Sequence, residues 1–167
     1  MKEVGDVESG NSAVNVYIHG EGKMDKSLKY WRDLLLYNEW TATNLFYDEK
    51  GGDIASREGF NECLYHYIKC ADNAELLVQN LKTLSENELE ARVIRYMFSQ
   101  CIDSEIQVME KEREDERLEA HIAEICSSGE KYRYNIGIFD KKKLNQILMY
   151  KAKFEMMLHQ QGVKGAE

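Results

Sequence analysis

The sequence predicts a mainly α protein, built from five to seven helices stacked as antiparallel pairs, with one small two-stranded β-ribbon. Three observations carry this expectation. The 167 residues contain no proline, where average usage of about 5% would supply roughly eight. Without a ring that removes an amide proton and clashes with the preceding turn, helical runs go unbroken. Apolar residues recur at spacings of three and four through most of the chain, the period of a helix with one buried stripe. The interruptions fall at Gly51, Gly52, Gly129 and Gly162, and glycine is the residue that ends helices.

Composition bounds the class before any element is read. With 43% hydrophobic and 10% aromatic residues, the chain can bury the core of one domain. The expected division is a flexible tail over residues 1–13, a helical domain over 14–162 and a second tail over 163–167. The net charge of -8 argues against a protein that wraps nucleic acid over its whole surface. No apolar run reaches the ~18 residues needed to cross a bilayer, and Met1–Gly10 lacks the basic start and apolar middle of a secretory signal. An intracellular protein, cytoplasmic or nuclear, is expected.

Residues 1–13 show no periodicity. Val14, Val16 and Ile18 then alternate with other residues, the two-residue period of a strand that Gly20 and Gly22 stop. Its expected partner is the similar alternation of Tyr132, Tyr134, Ile136 and Ile138. From Asp25 the period is helical, through Leu28, Trp31, Leu35, Trp40, Phe46 and Tyr47, with room for a break over residues 38–43. The next helix is the most regular, with Phe60, Cys63, Leu64, Tyr67, Ile68 and Ala71 on one face and Ser56 as its cap. Asp72 or Asn73 is placed to cap a short helix that turns Leu77, Leu81 and Leu84 inward. Ser85 and Glu88 spell a capping box for a helix over 86–102, whose apolar side chains cover more than half its circumference and so predict a central position.

Residues 110–119 are almost all charged, with Glu110, Arg113 and Glu116 at three-residue spacing. This is the pattern of a solvated helix face, or of an acidic surface that meets a partner. Leu118, Ile122 and Ile125 follow. Asp140 is placed to cap a last helix carrying Leu144, Ile147, Leu148, Phe154, Met157 and Leu158. Around that helix lie Lys141, Lys142, Lys143, Lys151 and Lys153, the one basic concentration in an acidic chain, with Tyr132 and Tyr134 just upstream. These seven residues are the candidate partner-binding set, suited to an acidic protein or a weak RNA contact; lysines that merely solubilise an amphipathic helix are the other reading.

Chemistry is sparse. His19, His66, His121 and His159 are scattered, and Ser127, Ser128 and Gly129 lack the glycine that precedes the serine of a nucleophile elbow. Gly20 and Gly22 resemble the start of a dinucleotide loop, but no third glycine follows at the required distance. Cys63, His66 and Cys70 lie on neighbouring positions of one helix face and would still need a fourth zinc ligand, His121 or Cys126. The alternative is that the cysteines pack inward as small hydrophobes. No metal, no cofactor, no small-molecule substrate and no catalytic residue is expected.

The stretch from Glu58 through Cys63, followed by Asn87–Ala91 and then Ile94, Tyr96 and Met97, resembles the helical-repeat region of the mRNA-export scaffold family typified by germinal-centre-associated nuclear protein. Members carry a similar EFNxC helix and a later NExEFxAYxxLY helix, and the resemblance covers about half the chain. It implies stacked helical repeats, a non-catalytic scaffold that meets protein partners, and a setting in nuclear mRNA export. Arg92 stands near where the family has tyrosine, and the chain lacks room for the family's full winged-helix module. A different class also fits the composition: a small acidic inhibitor or modulator, of viral or mobile-element type, which occupies a basic site on a host nucleic-acid enzyme. That reading requires the carboxylates of residues 110–119 to form one continuous surface.

Overall fold

The computed structural model describes residues 13–20, 24–37, 44–50, 52–69, 74–102, 105–110, 113, 115–128 and 141–162. It corrects the mainly α expectation: the chain is an α/β protein. Four strands, β1 (Ala13–His19), β2 (Asn44–Asp48), β3 (Ala74–Val78) and β4 (Ile106–Val108), form one sheet in the order β2-β1-β3-β4. All its pairings are parallel. Five helices are described: α1 (Met24–Tyr37), α2 (Glu58–Lys69), α3 (Glu88–Ile102), α4 (Glu116–Ser128) and α5 (Lys141–Gln160). The expected two-stranded ribbon is replaced by this sheet. β1 pairs with β2 on one side and β3 on the other, and the segment 132–138 expected to pair with it lies outside the described residues.

The local sequence explains each strand. In β1, Val16 and Ile18 are buried on one face and Tyr17 on the other, as a central strand of a parallel sheet requires. In β3, Leu76, Leu77 and Val78 are consecutive and all buried, so there is no alternation to read. Phe46 and Tyr47, expected in a helix, belong to β2. Leu77, expected in a short helix, belongs to β3, and Leu81 begins a 3-10 turn over Leu81–Thr83 capped by the Asn80 side chain.

The chain moves from β1 outward to β2, then crosses to β3 and on to β4. Crossovers of one hand then place α1 on one face and α2 and α3 on the other. The two resulting cores are distinct. Tyr17, Leu76, Val78 and Ile106 pack with Phe60, Cys63, Leu64 and Tyr67 of α2, Ile94, Met97 and Phe98 of α3, Ile122 and Ile125 of α4, and Ile147 and Phe154 of α5. Val16, Ile18 and Leu77 pack on the other face against Trp31 of α1, with Met24, Tyr30 and Leu34 at its margin.

Polar side chains fix the layers. The start of α2 is capped from a distance: Asp48, the last residue of β2, accepts the Gly59 and Phe60 amides, both at 2.9 Å, and the Tyr17 hydroxyl at 2.8 Å. Ser56, expected as that cap, instead donates its hydroxyl to the Asp53 carbonyl. A Cβ on Gly59 would lie 2.2 Å from the Tyr47 carbonyl oxygen, so only glycine lets α2 begin this close to β2. In place of the expected box at Ser85 and Glu88, α3 begins at Glu88 with a single cap. Asn87 caps α3 by accepting the Glu90 amide at 3.1 Å, while the Ser85 hydroxyl donates to the Glu90 carboxylate at 2.8 Å. Arg92, 2% exposed, donates to Glu88, to Glu119 and to the Arg113 carbonyl. A buried guanidinium is tolerable because its donors are met in this way.

Candidate functional site

In a doubly wound sheet the strand that turns the order around leaves a gap at its carboxyl end, because the connections leaving its two neighbours depart in opposite directions. Here that gap lies between β1 and β3, which end at His19 and Val78. A crevice of about 390 Å³ opens there, lined by His19, Gly20, Lys26, Ser27, Gln79, Asn80, Lys82, Thr83 and Glu86. The size suits a small ligand.

Each wall has a distinct origin. Gly20 brings the first turn of α1 against the end of β1: a Cβ there would stand 3.0 Å from the Met24 Cα and 3.2 Å from its nitrogen. Lys26 and Ser27, in the opening turns of α1, form this wall, and the positive end of the helix dipole adds to the lysine's field. The opposite wall is the turn after β3. Its geometry is set by Asn80, whose side chain accepts both the Thr83 amide and the Thr83 hydroxyl at 3.1 Å. Glu110 braces the same wall from behind, accepting from Gln79 at 2.8 Å and Asn80 at 3.1 Å.

Beneath that wall lies a second node. Arg57, 4% exposed, donates to the Thr83 carbonyl at 2.8 Å and to the Gly52 carbonyl at 3.2 Å. It thereby ties the crevice turn to the loop before α2. Burial first, and then the hydrogen bond to Asp48, hold the Tyr17 hydroxyl well above the ordinary tyrosine range, while the Arg57 charge opposes both. Tyr17 is therefore a fixed donor to Asp48, and the node is a brace.

The ammonium groups of Lys26 and Lys82 are exposed and pair with no carboxylate among the described residues. Glu86 is the one acidic residue of the lining. The arrangement can hold an anion between two walls. It offers little for covalent chemistry among the described residues: the His19 Nε2 lies 3.1 Å from the Lys50 carbonyl oxygen, and no hydrogen bond from Ser27 to a base is present.

The residues expected as a binding set fall elsewhere. Lys142 and Lys143 are exposed at the start of α5. Lys151 pairs with Glu155 at 2.9 Å, and Lys153 joins Asp53 and Glu90, so two of the lysines hold the fold together. Lys141 begins α5, and Tyr132 and Tyr134 lie outside the described residues. Of the charged run, Glu119 turns partly inward to meet Arg92 and Arg95, while Glu110 is exposed and braces the crevice turn.

Cys63 is buried, and burial raises its thiol well above the usual range, whereas His66 is exposed against Phe46 and Tyr65. Burial likewise pushes Cys126 up to about 12. Cys70 lies outside the described residues, among which no three His, Cys, Asp or Glu side chains gather as metal ligands. No described helix is long and apolar enough to cross a membrane.

Sequence reasoning came nearest to the crevice at Gly20, singled out as the start of a glycine loop after a strand. It missed Lys26 and Lys82, which lie 56 residues apart by number, because only the parallel pairing of β1 with β3 brings them to one edge. No family model, no curated protein and no solved structure matches this chain.

Proposed function

We propose that this chain is a non-catalytic binding module that takes a small anionic ligand, carrying a phosphate or carboxylate, in the crevice between β1 and β3. The observation that carries the reading is the placement of Lys26 and Lys82 on opposite walls of the switch-point gap in a chain of net charge -8. Two cations lining one cleft, with a helix amino terminus beside it, form a local positive site in an acidic chain. The polar lining and open mouth fit recognition by charge rather than by apolar enclosure. Isothermal titration with pyrophosphate should show one site of sub-millimolar to millimolar affinity that weakens as salt rises. The double substitution Lys26→Gln with Lys82→Gln should weaken it at least about tenfold, a loss of roughly 1.4 kcal/mol. Equal binding by that variant would sink the reading.

A second reading keeps the scaffold function in nuclear mRNA export that the resemblance implies, with the cell interior as its place and protein partners or a weak RNA contact as its targets. The outward Lys142 and Lys143 favour it. The pairing of Glu119 with Arg92 and Arg95 weighs against an acidic mimic, which needs that carboxylate on its surface. Fluorescence anisotropy with labelled oligouridylate separates the possibilities. A scaffold that touches RNA binds it, and Lys142→Glu with Lys143→Glu removes the binding; no binding by the unaltered chain ends the RNA part of this reading.

A further inference from the structure

We infer that the ligand of the crevice is a phosphorylated sugar or polyol without a nucleobase, its phosphate held by Lys26 and Lys82 and its hydroxyls donating to Gln79 and Glu86. The inference deepens the anion-binding reading and rests on it. That reading uses the cations of the lining and leaves the acceptors beside them without a role. Glu86 is exposed in the bend between the 3-10 turn and α3. It shares the crevice with Lys82, four residues earlier, yet neither pairs with the other or with any other charged residue among those described. Pairing at that spacing needs a continuous helix, and here the 3-10 turn ends at Thr83 while α3 starts at Glu88. Gln79 is an acceptor for a different reason. Its Nε2 donates to the Glu110 carboxylate at 2.8 Å, and the Glu110 amide donates in turn to the Gln79 carbonyl at 2.8 Å. A carboxylate only accepts, so the amide nitrogen must face it; the Gln79 Oε1 accepts from no donor among the described residues.

These groups sort the classes of anionic ligand. A phosphate monoester brings nearly two negative charges to two lysines at neutral pH. A second anionic group on the ligand would be repelled by the Glu86 carboxylate. An ammonium in its place would meet the net positive field of Lys26, Lys82 and the amino terminus of α1. A neutral hydroxyl meets neither penalty and donates to a carboxylate or an amide oxygen. None of the nine lining residues is Phe, Tyr or Trp, the side chains on which a nucleobase stacks. The volume of about 390 Å³ also lies near the lower end for ligand pockets, in keeping with a sugar phosphate alone.

Isothermal titration of the full chain tests this with ribose 5-phosphate, inorganic phosphate, pyrophosphate, gluconate and adenosine 5′-monophosphate. Ribose 5-phosphate should bind at least about tenfold more tightly than inorganic phosphate, and more tightly than gluconate, which carries hydroxyls but no phosphate. Adenosine 5′-monophosphate should gain nothing from its base. Glu86→Ala, at an exposed position without a partner, should move two probes in opposite directions. Ribose 5-phosphate should weaken by about fivefold, because an acceptor is lost, while pyrophosphate should tighten, because a repelling charge is gone. If pyrophosphate binds and ribose 5-phosphate is held no better than inorganic phosphate, this inference fails and the anion-binding reading stands. If neither pyrophosphate nor ribose 5-phosphate binds, both fail. Gluconate binding as tightly as ribose 5-phosphate, a tenfold gain from the adenine, or equal weakening of both probes by Glu86→Ala would each overturn the inference as well.

Discussion

Among the described residues, one face of the sheet lies under α2 and α3, backed by α4 and α5, and the other lies under α1. Both faces begin from the same alternation in β1, yet their interiors differ in kind. On the crowded side Phe60, Cys63, Leu64 and Phe98 have no exposure, and ring pairs such as Tyr67 with Phe98, centroids 5.1 Å apart, fill the space between helices. On the sparse side Trp31 is the single buried residue of α1, while Leu28, Leu36 and Tyr37 remain exposed. Leu45 and Tyr47 of the edge strand β2, aligned with Val16 and Ile18, are 45% and 55% exposed on that same face. The difference teaches where rigidity is placed. The crowded face holds the strands and the crevice turn in position, and the sparse face carries the wall that bears Lys26 on a helix with few anchors.

The largest effect expected from this contrast comes from the crowded side. Phe98→Ala empties a site between α2 and α3 and should cost about 3–5 kcal/mol, transfer and cavity together. Because that core joins four helices to the sheet, the loss should appear as a fall in the melting temperature of the whole chain, with circular dichroism and fluorescence changing in one transition. A local transition that left β1 and the crevice intact would mean that the two faces are less coupled than the shared strands imply.

The same contrast explains what could be read from sequence. α2, α3, α4 and α5 were legible because each carries a long stripe at helical spacing, and β1 because Val14, Val16 and Ile18 alternate. β3 was illegible for a physical reason: a strand buried on both faces has no alternation, and Leu76, Leu77 and Val78 read equally well as a turn of buried helix. β2 was hidden because Phe46 and Tyr47 continue the spacing of the preceding helix, and β4 is only three residues long. The absence of proline predicts a helix-dominated chain. It is equally compatible with strand–helix–strand units whose breaks are made by glycine and polar caps. Of the crevice, Gly20 was visible and its lysines were not, because parallel pairing of distant strands leaves no local signature.

A smaller effect is expected on the sparse face. Trp31 is 1% exposed, and among the described residues its Nε1–H has no hydrogen-bond partner. Trp31→Phe removes apolar area but also removes a buried donor left unmet, which itself costs about 1–3 kcal/mol. The two changes oppose each other, so the substitution should alter stability by less than about 1 kcal/mol in a urea titration. A loss of 3 kcal/mol or more would show that the indole is held as firmly as the rings across the sheet, and the contrast between the faces would fail.

The smallest effect concerns the ion pairs that fasten α5 to the crowded side. The hydrogen bond from Lys153 holds the Asp53 carboxyl below the usual carboxylate range, with burial opposing it. A carboxyl whose folded value is depressed binds its proton less readily in the folded chain than in the unfolded one. Its contribution is therefore present above the unfolded value of about 3.9 and is lost as the pH falls through the folded value. Asp53 is exposed enough for solvent to screen the pair, so Asp53→Asn should cost only a few tenths of a kcal/mol at pH 6 to 7. Urea midpoints of the two chains should then converge once the pH has fallen below the folded value. A difference that persisted there would assign the effect to the Asp53 cap on the Ala55 amide; a difference well above 1 kcal/mol at neutral pH would make this pair a principal clamp of α5, and the crowded face would owe its strength to charge as much as to packing.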